Sequence, residues 1–382
     1  MIDISRLYCG IAGESDPLRY RAKAKGQRRP VVVWNITRSC NLNCIHCYAD
    51  AKADSDGIDT EKAKRVIDDL ADFNVPVLLF SGGEPVLRKD IAELIYYTAK
   101  KGIRAVLSTN GTLIDQDMAK RLKDAGLSYA GISLDGMEEV NDRFRGISGA
   151  FKKALSGIQH CKNAGIKVGI RFTISRFNVR EVPKMFDLAK DQGVDRLCFY
   201  HLVYSGRGSS LIKEDLSHDE TRKVVDLIIS KTEQLHKMGL NIQVLTVDNH
   251  ADGPYVYMKM LKEGNSMAEE VLRLLKLNGG NSSGEGIGCI SWSGEVHADQ
   301  FWRHYSFGNV FERPFGEIWT DLSNPLMAKL KQKKRYVKGR CAKCKWLDIC
   351  AGNFRARAEA VTGDIWAPDP ACYLTDEEIG LC

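Results

Sequence analysis

The chain of 382 residues has no apolar run long enough to cross a membrane, since a spanning helix needs about 20 consecutive apolar residues. Its first ten residues, MIDISRLYCG, also lack the charged start and apolar core of a secretion signal. We therefore expect neither a membrane anchor nor export. In a chain that is not exported, 12 cysteines indicate metal ligation rather than disulfides. The expected compartment is the reducing cytoplasm.

Basic runs interleaved with aromatic residues, the usual sign of nucleic-acid binding, are absent as well. The formal net charge of +6 is modest for this length, so it permits an anionic substrate without requiring nucleic acid. The length allows two or three domains, or one large barrel with an extension. Composition thus favours a globular enzyme with a small-molecule substrate.

Three cysteines, Cys40, Cys44 and Cys47, stand in the spacing C-x3-C-x2-C. They follow the apolar segment VVVWNIT, which predicts a buried strand, so they lie on the loop at its carboxyl end. A cubane iron-sulfur cluster that only carries electrons normally takes four thiolates, and the next cysteine along the chain is Cys161. The spacing favours a 4Fe-4S cluster with one iron open to a ligand. A zinc site or a set of buried thiols is the alternative.

Strand-like and helix-like segments alternate from position 31 to about 246. Six strand-helix repeats predict a parallel sheet closed into most of a barrel, an α/β fold of the partial (β/α)6 type. A further strand is expected at 241–247, and 255–277 is predicted to be one helix. The stretch GGNSSGEGIG then breaks the pattern. The predicted domains are an N-terminal extension (1–30), the barrel (31–250), a helical linker (251–280) and a small C-terminal domain (281–382).

Three short motifs follow the next predicted strands in turn. SGGEP (81–85), STNGT (108–112) and SLDG (133–136) each come directly after an apolar run. Because the carboxyl ends of parallel strands meet at one face, these motifs and the cysteine loop are expected to surround one site. The four motifs in this order resemble the radical S-adenosylmethionine (SAM) superfamily.

The resemblance implies that SAM chelates the open iron through its amino and carboxylate groups. One electron from the cluster then cleaves SAM to methionine and a 5'-deoxyadenosyl radical, chemistry that belongs to the cofactor rather than to the protein. The GGE segment is implied to hold the SAM amino group, and the SLDG segment to contact the ribose. The implied SAM-binding residues are Tyr48, Gly82, Gly83, Glu84, Ser108, Asn110, Ser133, Asp135, Arg145 and Arg171.

A second group of cysteines lies in the last hundred residues. Cys341, Cys344 and Cys350 form C-x2-C-x5-C, and Cys372 follows after a gap of 21 residues. Four thiolates can occupy every external position of a second cubane, although four-cysteine zinc sites use similar spacing. The region resembles SPASM and twitch extensions, which carry auxiliary clusters, and GCISWSGEVHAD (288–299) resembles their β-hairpin.

A full SPASM domain, with two auxiliary clusters, would have a further cysteine soon after Cys350, but the sequence there is AGNFRARAE. We therefore expect one auxiliary cluster with Cys341, Cys344, Cys350 and Cys372 as ligands, and two 4Fe-4S clusters in all. Cys289 in the hairpin stays unassigned. Buried or incidental thiols are expected at Cys9, Cys161, Cys198 and Cys382.

Three longer segments narrow the resemblance: FYHLVYSGRG (199–208), HADQFWRHYSFGNVFERPFGEIW (297–319) and GNFRARAEAVTGDIWAPDPACYLTDEE (352–378). They resemble the AhbC and NirJ families of tetrapyrrole-modifying radical SAM enzymes. The AhbC family removes two acetate side chains from 12,18-didecarboxysiroheme in siroheme-dependent haem biosynthesis, giving iron-coproporphyrin III. The NirJ family removes two propionates from the same substrate in the haem d1 pathway. We favour acetate removal, with propionate removal and SPASM-type peptide maturation as the alternatives.

A flat macrocycle with several carboxylates needs cations around its rim and apolar or aromatic surface against its face. Arg171, Arg176 and Arg207 lie at or just beyond predicted strands, on the side where the radical forms, and His201 is a candidate proton donor. The candidate catalytic residues are His201, Arg171, Tyr200 and Arg207.

The run KQKKRYVKGR (331–340) concentrates positive charge in the predicted C-terminal domain. It is either a solvated face or a docking patch for an acidic ferredoxin or flavodoxin that supplies electrons.

Overall fold

The strands build one ten-stranded sheet in the computed structural model, which describes residues 1–20, 29–52 and 57–381. They are β1 (Ile2–Asp3), β2 (Val31–Thr37), β3 (Val77–Gly82), β4 (Arg104–Thr109), β5 (Tyr129–Ser133), β6 (Lys167–Thr173), β7 (Arg196–Tyr200), β8 (Gln243–Val247), β9 (Ile287–Ile290) and β10 (Val296–His297).

Seven strands, β2 to β8, lie side by side in chain order and run parallel to one another. Helices connect successive strands, as a parallel sheet requires. The predicted α/β fold with a parallel, barrel-type sheet is confirmed. Since the strands share one direction, the cysteine loop and the three motifs that follow them lie at the same end of the sheet.

Both edges of the parallel sheet are extended by strands from outside the predicted barrel. β1 pairs antiparallel with β8, so the first residues of the chain cover one edge. At the other edge β9 pairs parallel with β2, and β10 pairs antiparallel with β9. The hairpin that sequence analysis assigned to the C-terminal domain thus continues the sheet of the barrel. An edge that is paired in this way is protected from association with other strands.

The helices that connect the parallel strands bury one face each, as α3 (Thr60–Asp72) illustrates. In Thr60–Asp72 the buried residues are Ala63, Val66, Ile67 and Leu70, at the spacing of one helical face, and the side chain of Asp59 caps the first turn. The α-helices are α1 (Ile4–Leu7), α2 (Asp16–Tyr20), α3 (Thr60–Asp72), α4 (Ile91–Lys100), α5 (Gln116–Asp124), α6 (Glu138–Arg145), α7 (Ala150–Asn163), α8 (Val182–Asp191), α9 (His218–Lys237), α10 (Asp252–Lys262), α11 (Ala268–Asn278), α12 (Phe315–Thr320), α13 (Pro325–Leu330), α14 (Gly339–Ala342), α15 (Leu347–Cys350), α16 (Arg355–Thr362) and α17 (Asp376–Ile379). Within the described ranges, none of them is both long and apolar enough to span a membrane.

The prediction of one helix over 255–277 is wrong, because the segment is divided between α10 and α11. Gly264 has φ of +66°, a left-handed conformation that ends α10. The side chain of Asn265 then accepts a hydrogen bond from the main-chain N–H of Met267, just before α11. The apolar periodicity continues across this break, which is why it reads as a single helix in the sequence.

Candidate active site

The loop after β2 brings the thiols of Cys40, Cys44 and Cys47 into one small cluster around Leu42 and Ala150. Burial raises the pKa of Cys40 to about 12 and also raises that of Cys44. The thiolate, not the thiol, is the metal ligand, so a bound group would have to displace these protons. The grouping of three thiols on one loop, rather than their acidity, is what suits a metal group.

The guanidinium of Arg145 lies beside this cluster. Its Nη1 is 3.6 Å from the Sγ of Cys44, and it opposes the effect of burial on the pKa of that thiol. Its Nη2 is 2.5 Å from the carboxylate of Asp135 in the SLDG motif. Arg145 therefore joins the cysteine loop to the end of β5.

Arg207 also holds the cysteine loop. Its Nε donates to the carbonyl oxygen of Cys44 at 2.8 Å, its Nη1 donates to that of Ala51 at 3.0 Å, and its main-chain N–H donates to that of Cys47 at 3.0 Å. Arg207 does not line the central cavity. In this position Arg207 holds the cysteine loop and does not face the cavity, and its predicted role at the substrate stays a prediction.

Arg176 is likewise turned away from the cavity. It is exposed and lies 3.3 Å from Glu220, and its Nη1 donates to the carbonyl oxygen of Lys213. Position at a strand end did not predict the direction of these two arginines, because a long side chain follows the nearest acceptors.

The glycine pair of SGGEP packs against the cysteine loop. A Cβ atom at Gly82 would stand 2.3 Å from the carbonyl oxygen of Thr37, and one at Gly83 would stand 2.0 Å from that of Ser39. The main-chain N–H groups of Gly83 and Glu84 donate to these same two oxygens at 2.8 and 2.7 Å. The close approach that sequence analysis assigned to a ligand is therefore made to the protein backbone.

Glu84 is fully buried and is held by the neighbouring motif. Its carboxylate accepts hydrogen bonds from the Thr109 hydroxyl at 2.7 Å, from the main-chain N–H of Asn110 at 2.7 Å and from that of Val86 at 3.1 Å. Burial raises its pKa, while these hydrogen bonds act in the opposite direction. Glu84 does not line the cavity, so in this structure it ties two strand-end loops together.

The residues implied to bind SAM divide into two groups. Tyr48, Ser108, Ser133, Arg145 and Arg171 line a central cavity of about 480 Å³, together with Cys44 and Cys47. Gly82, Gly83, Glu84, Asn110 and Asp135 do not line it.

Like Glu84, two other residues outside the cavity wall, Asn110 and Asp135, have hydrogen-bond partners within the protein. The amide of Asn110 donates to Asn41 at 2.9 Å. The carboxylate of Asp135 is fully buried, 3.3 Å from His46 Nε2, and it accepts from the main-chain N–H of Thr173 at 2.9 Å. The expected contact of Asp135 with a ribose is therefore not available in this arrangement.

His201 and Tyr200, two of the predicted catalytic residues, line the cavity. The Nε2 of His201 lies 2.9 Å from the Oδ2 of Asp252, and the other oxygen of Asp252 accepts from the hydroxyl of Tyr373 at 2.7 Å. Tyr373 follows Cys372 in the chain. A hydrogen-bonded series thus leads from the cavity to the neighbourhood of the predicted auxiliary cluster.

Sequence reasoning missed several polar residues of the cavity wall, among them Asp248, His250 and His46. Asp248 and His250 stand in the sequence VDNH directly after β8, where a polar segment at a strand end was a usable signal. Burial raises the pKa of Asp248 to about 6, and burial lowers the pKa of His250 well below its ordinary value. Both groups sit where water is scarce, which strengthens their interactions with a bound molecule.

Cys341, Cys344, Cys350 and Cys372 line a second, smaller cavity. Burial raises the pKa of Cys350 and of Cys372 to about 12. Cys289 lies elsewhere, on β9, where its Sγ accepts from the Asn35 amide at 3.6 Å. The gap of 21 residues before Cys372 is therefore closed by the fold.

Over the described residues, no group of three or more His, Cys, Asp or Glu side chains is arranged around a single ion. Three thiols on one loop and four thiols around the second cavity are the numbers that a cubane with one open iron and a fully ligated cubane would use.

The remaining cysteines show no ligand-like grouping. Cys161 and Cys198 are buried, and Cys9 is half-buried. Cys382 lies outside the described residues. The expectation that these are incidental thiols stays a prediction.

The basic run 331–340 is largely committed to contacts within the protein. Lys334 pairs with Asp348 at 3.0 Å, Lys338 with Asp364 at 2.6 Å and Arg340 with Asp376 at 3.0 Å, and Lys331 lies over the ring of Trp319. Cations that already have carboxylate partners attract an acidic protein less strongly. The arrangement favours the solvated face over the docking patch.

A buried ion pair joins the C-terminal region to the barrel. Both Arg357 and Asp369 are fully buried, and Nε and Nη2 of the arginine each lie 2.8 Å from the carboxylate. The same guanidinium donates to the carbonyl oxygens of Leu202 and Asp248, both at 2.9 Å. Arg357 thus connects the segment before Cys372 to the cavity wall.

Replacing Arg357 with methionine should lower the free energy of unfolding by about 3–5 kcal/mol, because Asp369 would keep a buried charge without its partner. The measurement is anaerobic chemical denaturation of the reconstituted protein. Arg313→Met is the matched control: Arg313 lies 3.1 Å from Asp321 at the surface, so its loss should cost less than about 1 kcal/mol. Equal losses in the two variants would contradict this assignment.

Comparison with known proteins agrees with this geometry. A model of the radical SAM superfamily matches residues 34–189, and a model of the SPASM iron-sulfur cluster-binding domain matches residues 283–345. The chain is 60% identical to Fe-coproporphyrin III synthase of Methanosarcina barkeri, with 100% of this chain and 99% of the relative covered. This chain belongs to the radical SAM superfamily.

Two further proteins, one curated relative and one solved structure, are similar to this chain. It is 42% identical to pre-heme d1 synthase of Dinoroseobacter shibae, with 94% of this chain and 89% of the relative covered. The structure of Streptococcus suis SuiB bound to S-adenosylmethionine matches with a TM-score of 0.72, covering 91% of this chain and 78% of that one. At 18% identity the second match shows the fold alone.

A radical SAM enzyme with a SPASM domain uses a 4Fe-4S cluster and SAM, together with an auxiliary cluster, so the predicted cofactors are confirmed. Which cysteines hold each cluster stays a prediction. The SPASM match ends before Cys350 and Cys372, whereas the structure places both beside Cys341 and Cys344. In the radical SAM part, Cys44 and Cys47 face the cavity where SAM would approach.

Proposed function

We propose that this radical SAM enzyme removes two acetate side chains from 12,18-didecarboxysiroheme to give iron-coproporphyrin III. The observation that carries the proposal is the 60% identity, over the whole chain, to a protein named Fe-coproporphyrin III synthase. The cavity supports it, since cationic and aromatic side chains, including Arg171 and Tyr200, line one space with the predicted cluster ligands. A macrocycle bearing carboxylates requires this combination.

We propose Cys40, Cys44 and Cys47 as ligands of the SAM cluster, and Cys341, Cys344, Cys350 and Cys372 as ligands of the auxiliary cluster. When bound, the first cluster and SAM would supply the radical chemistry that starts the removal of an acetate arm. Tyr48, Ser108 and Ser133 would orient SAM at the cavity wall.

The chain's own residues would direct the reaction of the arm. His201 would hold a proton at the ring nitrogen that Asp252 does not contact, facing the arm. Tyr200 would bound the space beside it. The strand walls and the C-terminal region would keep water away from the reacting carbon.

We also propose a cytoplasmic location and a ferredoxin or flavodoxin as the electron donor. Seven predicted ligand thiols require a reducing compartment, in which free cysteines are maintained. A small reduced carrier is the chemical class that can deliver single electrons to such a cluster.

The test is an anaerobic incubation of the reconstituted enzyme with SAM, a strong one-electron reductant and 12,18-didecarboxysiroheme, with the tetrapyrrole products identified by mass. Loss of two acetate arms is the expected result. Loss of two propionates would replace the proposal by the reaction of the haem d1 pathway, which the 42% identity to pre-heme d1 synthase makes the second candidate. Release of deoxyadenosine with an unchanged macrocycle would refute a tetrapyrrole substrate.

The same assay with Cys344→Ala separates the first chemistry from later turnover. If SAM cleavage and one round of product formation both survive, the auxiliary cluster does not hold the substrate. If neither survives, the cluster acts before or during the first turnover.

A further inference from the structure

The cavity extends along the inside of the barrel toward the amino ends of the strands, away from the cysteine loop. Successive inward-facing positions of β4 line it, with Arg104 at the start of the strand and Ser108 near its end. Arg196, the first residue of β7, and Arg29, which precedes β2, line it as well. Arg171 stands between these residues and the cluster end. We call Arg29, Arg104, Arg171 and Arg196 the arginine track.

Two large side chains that point into the barrel, Arg171 and Tyr129, each lie against a glycine of the neighbouring strand. The glycine leaves room for the side chain. A Cβ atom at Gly131 would stand 2.3 Å from the Nε of Arg171. One at Gly169 would stand 2.0 Å from the hydroxyl of Tyr129. Arg171 can therefore lie across β5 and reach the hydroxyl of Ser108 on β4 at 2.5 Å. The barrel interior is built to hold long polar side chains in extended positions.

The arginines of the track have neutral partners. Arg104 donates to the Ser128 hydroxyl at 3.1 Å, and Arg196 donates to the side-chain oxygen of Gln243 at 2.8 Å. Arg29 lies over the ring of Phe73, with 4.2 Å between the guanidinium carbon and the ring centroid.

Among the described residues, no carboxylate contacts the track. In the part of the chain that the structure describes, no Asp or Glu oxygen lies within 4.0 Å of a nitrogen of these four arginines; the ion pairs of this region are Arg19 with Asp3 at 3.2 Å and Lys167 with Glu14. The Nε of Arg171 is buried and has no hydrogen-bond partner among the described residues. All four arginines are partly buried. Asp3 acts on Arg196, and Glu14 on Arg104 and Arg196, only from beyond contact distance. A partly buried cation without a carboxylate in contact has room for a ligand that supplies the negative charge.

We propose that the arginine track binds the carboxylate arms of the substrate inside the barrel. Guanidinium groups recognise carboxylates through paired hydrogen bonds, and Arg196 lies 4.9 Å above the ring of Tyr129, which presents a flat surface beside the track. The proposal rests on the proposed function for the identity of the substrate. The requirement for a carboxylate follows from the track itself.

Sequence analysis had assigned this role to arginines at the carboxyl ends of the strands. The structure directs Arg176 and Arg207 elsewhere and supplies Arg29, Arg104 and Arg196 from the amino ends. The track would place a carboxylate arm along the barrel axis and so select which arm remains near the cluster.

The experiment measures binding to the reconstituted, SAM-loaded enzyme by anaerobic calorimetry. The probes are coproporphyrin III, its tetraamide and citrate, which separate ring binding, arm binding and small-carboxylate binding. We expect Arg104→Gln and Arg196→Gln each to weaken coproporphyrin III by roughly 10- to 100-fold, the effect of a charge-assisted hydrogen bond, and to leave tetraamide binding unchanged. Arg196→Lys, which keeps the charge, should recover part of the loss. Arg176→Gln, an exposed arginine outside the cavity, is the matched control.

Each result decides a different point. Unchanged affinity for every probe in both glutamine variants would overturn the track. Arginine-dependent binding of citrate without any binding of coproporphyrin III would keep a carboxylate site and refute the tetrapyrrole substrate. Equal weakening of the binding of coproporphyrin III and of its tetraamide would show that the variants change the shape of the cavity rather than remove a charge that binds carboxylates. That result would overturn the proposal.

Discussion

Replacing Cys44 with alanine is expected to abolish reductive cleavage of SAM, with a fall in rate of more than about 100-fold, since even partners that only support metal ligands contribute 10- to 100-fold. Cys44 lies at the centre of the loop, packed with Cys40 and Cys47 and facing the cavity. Two remaining thiols cannot hold a cubane with one open iron. The measurements are deoxyadenosine release under anaerobic reducing conditions and iron content, which should fall from about eight to about four per chain by cluster stoichiometry.

Two further variants make this result specific. Cys161→Ala removes a thiol that is fully buried in α7, far from ligand-like spacing, and should leave both readouts unchanged. Cys372→Ala should also lose about four irons per chain, from the other cluster, while SAM cleavage persists. Retention of all iron in Cys44→Ala would refute the assignment of the loop. Loss of SAM cleavage in Cys372→Ala would show that the two sites are not independent.

The parallel sheet could be predicted from the sequence because apolar strands and amphipathic helices have different periods, and because each of the first four predicted strands is followed by a motif. Val31–Thr37 and the strands after it lie where the pattern placed them. Short-range spacing also identified the loop thiols. The family followed from those motifs, and the comparisons confirmed it.

Side-chain direction could not be predicted in the same way. The sequence of SGGEP predicts a ligand cradle, whereas Gly82 and Gly83 approach the carbonyl oxygens of the cysteine loop. The motifs also predict ligand contacts for Glu84 and Asp135, but each accepts hydrogen bonds from neighbouring strand ends. Such pairings depend on which loops meet, and the sequence of one loop does not contain that information.

Long-range pairing explains the other differences. The partner of His201 is Asp252, fifty-one positions away on a helix whose start was misplaced by the apolar pattern. The ion pair of Arg357 with Asp369, near the auxiliary site, likewise could not be predicted from the spacing of neighbouring residues. Arg104 and Arg196 begin strands, at the end of the sheet away from the four motifs, so no motif spacing pointed to them.

Replacing Asp252 with asparagine is expected to slow product formation by about 10²- to 10⁴-fold, the usual contribution of positioned proton transfer. Burial raises the pKa of Asp252, but the charge of His201 and the hydrogen bonds from His201 and Tyr373 outweigh it, so the pKa lies below its ordinary 3.8. The carboxylate therefore stays ionised at every working pH and accepts a hydrogen bond from Nε2. An amide at this position can turn its NH2 group toward Nε2, which withdraws that acceptor and its charge.

The sign of the pH dependence follows from the lowered pKa. The wild-type protein loses the ionised acceptor only as the pH falls through that lowered value, whereas the variant lacks it at every pH, so raising the pH should not restore the rate. The measurement compares the pH profile of tetrapyrrole product formation with that of SAM cleavage. A positioning role predicts that the two separate, with deoxyadenosine release retained while product formation falls. A purely structural role would lower both together.

Three further variants separate a positioning role of Asp252 from a structural one. His201→Gln should reproduce the loss of product formation, because it removes the group that Asp252 positions. Tyr373→Phe deletes only the hydrogen bond at the far oxygen of Asp252, at 2.7 Å, and should cost less than about 10-fold. Asp226→Asn is the matched control, since Asp226 also accepts from a tyrosine hydroxyl, that of Tyr255 at 2.9 Å, but lies outside the cavity wall. Full product formation in Asp252→Asn would show that His201 does not need this partner. Full product formation in His201→Gln would remove His201 as the proton donor and leave that role to another group on the cavity wall, with Asp248, whose buried carboxyl has a pKa of about 6, as the next to test.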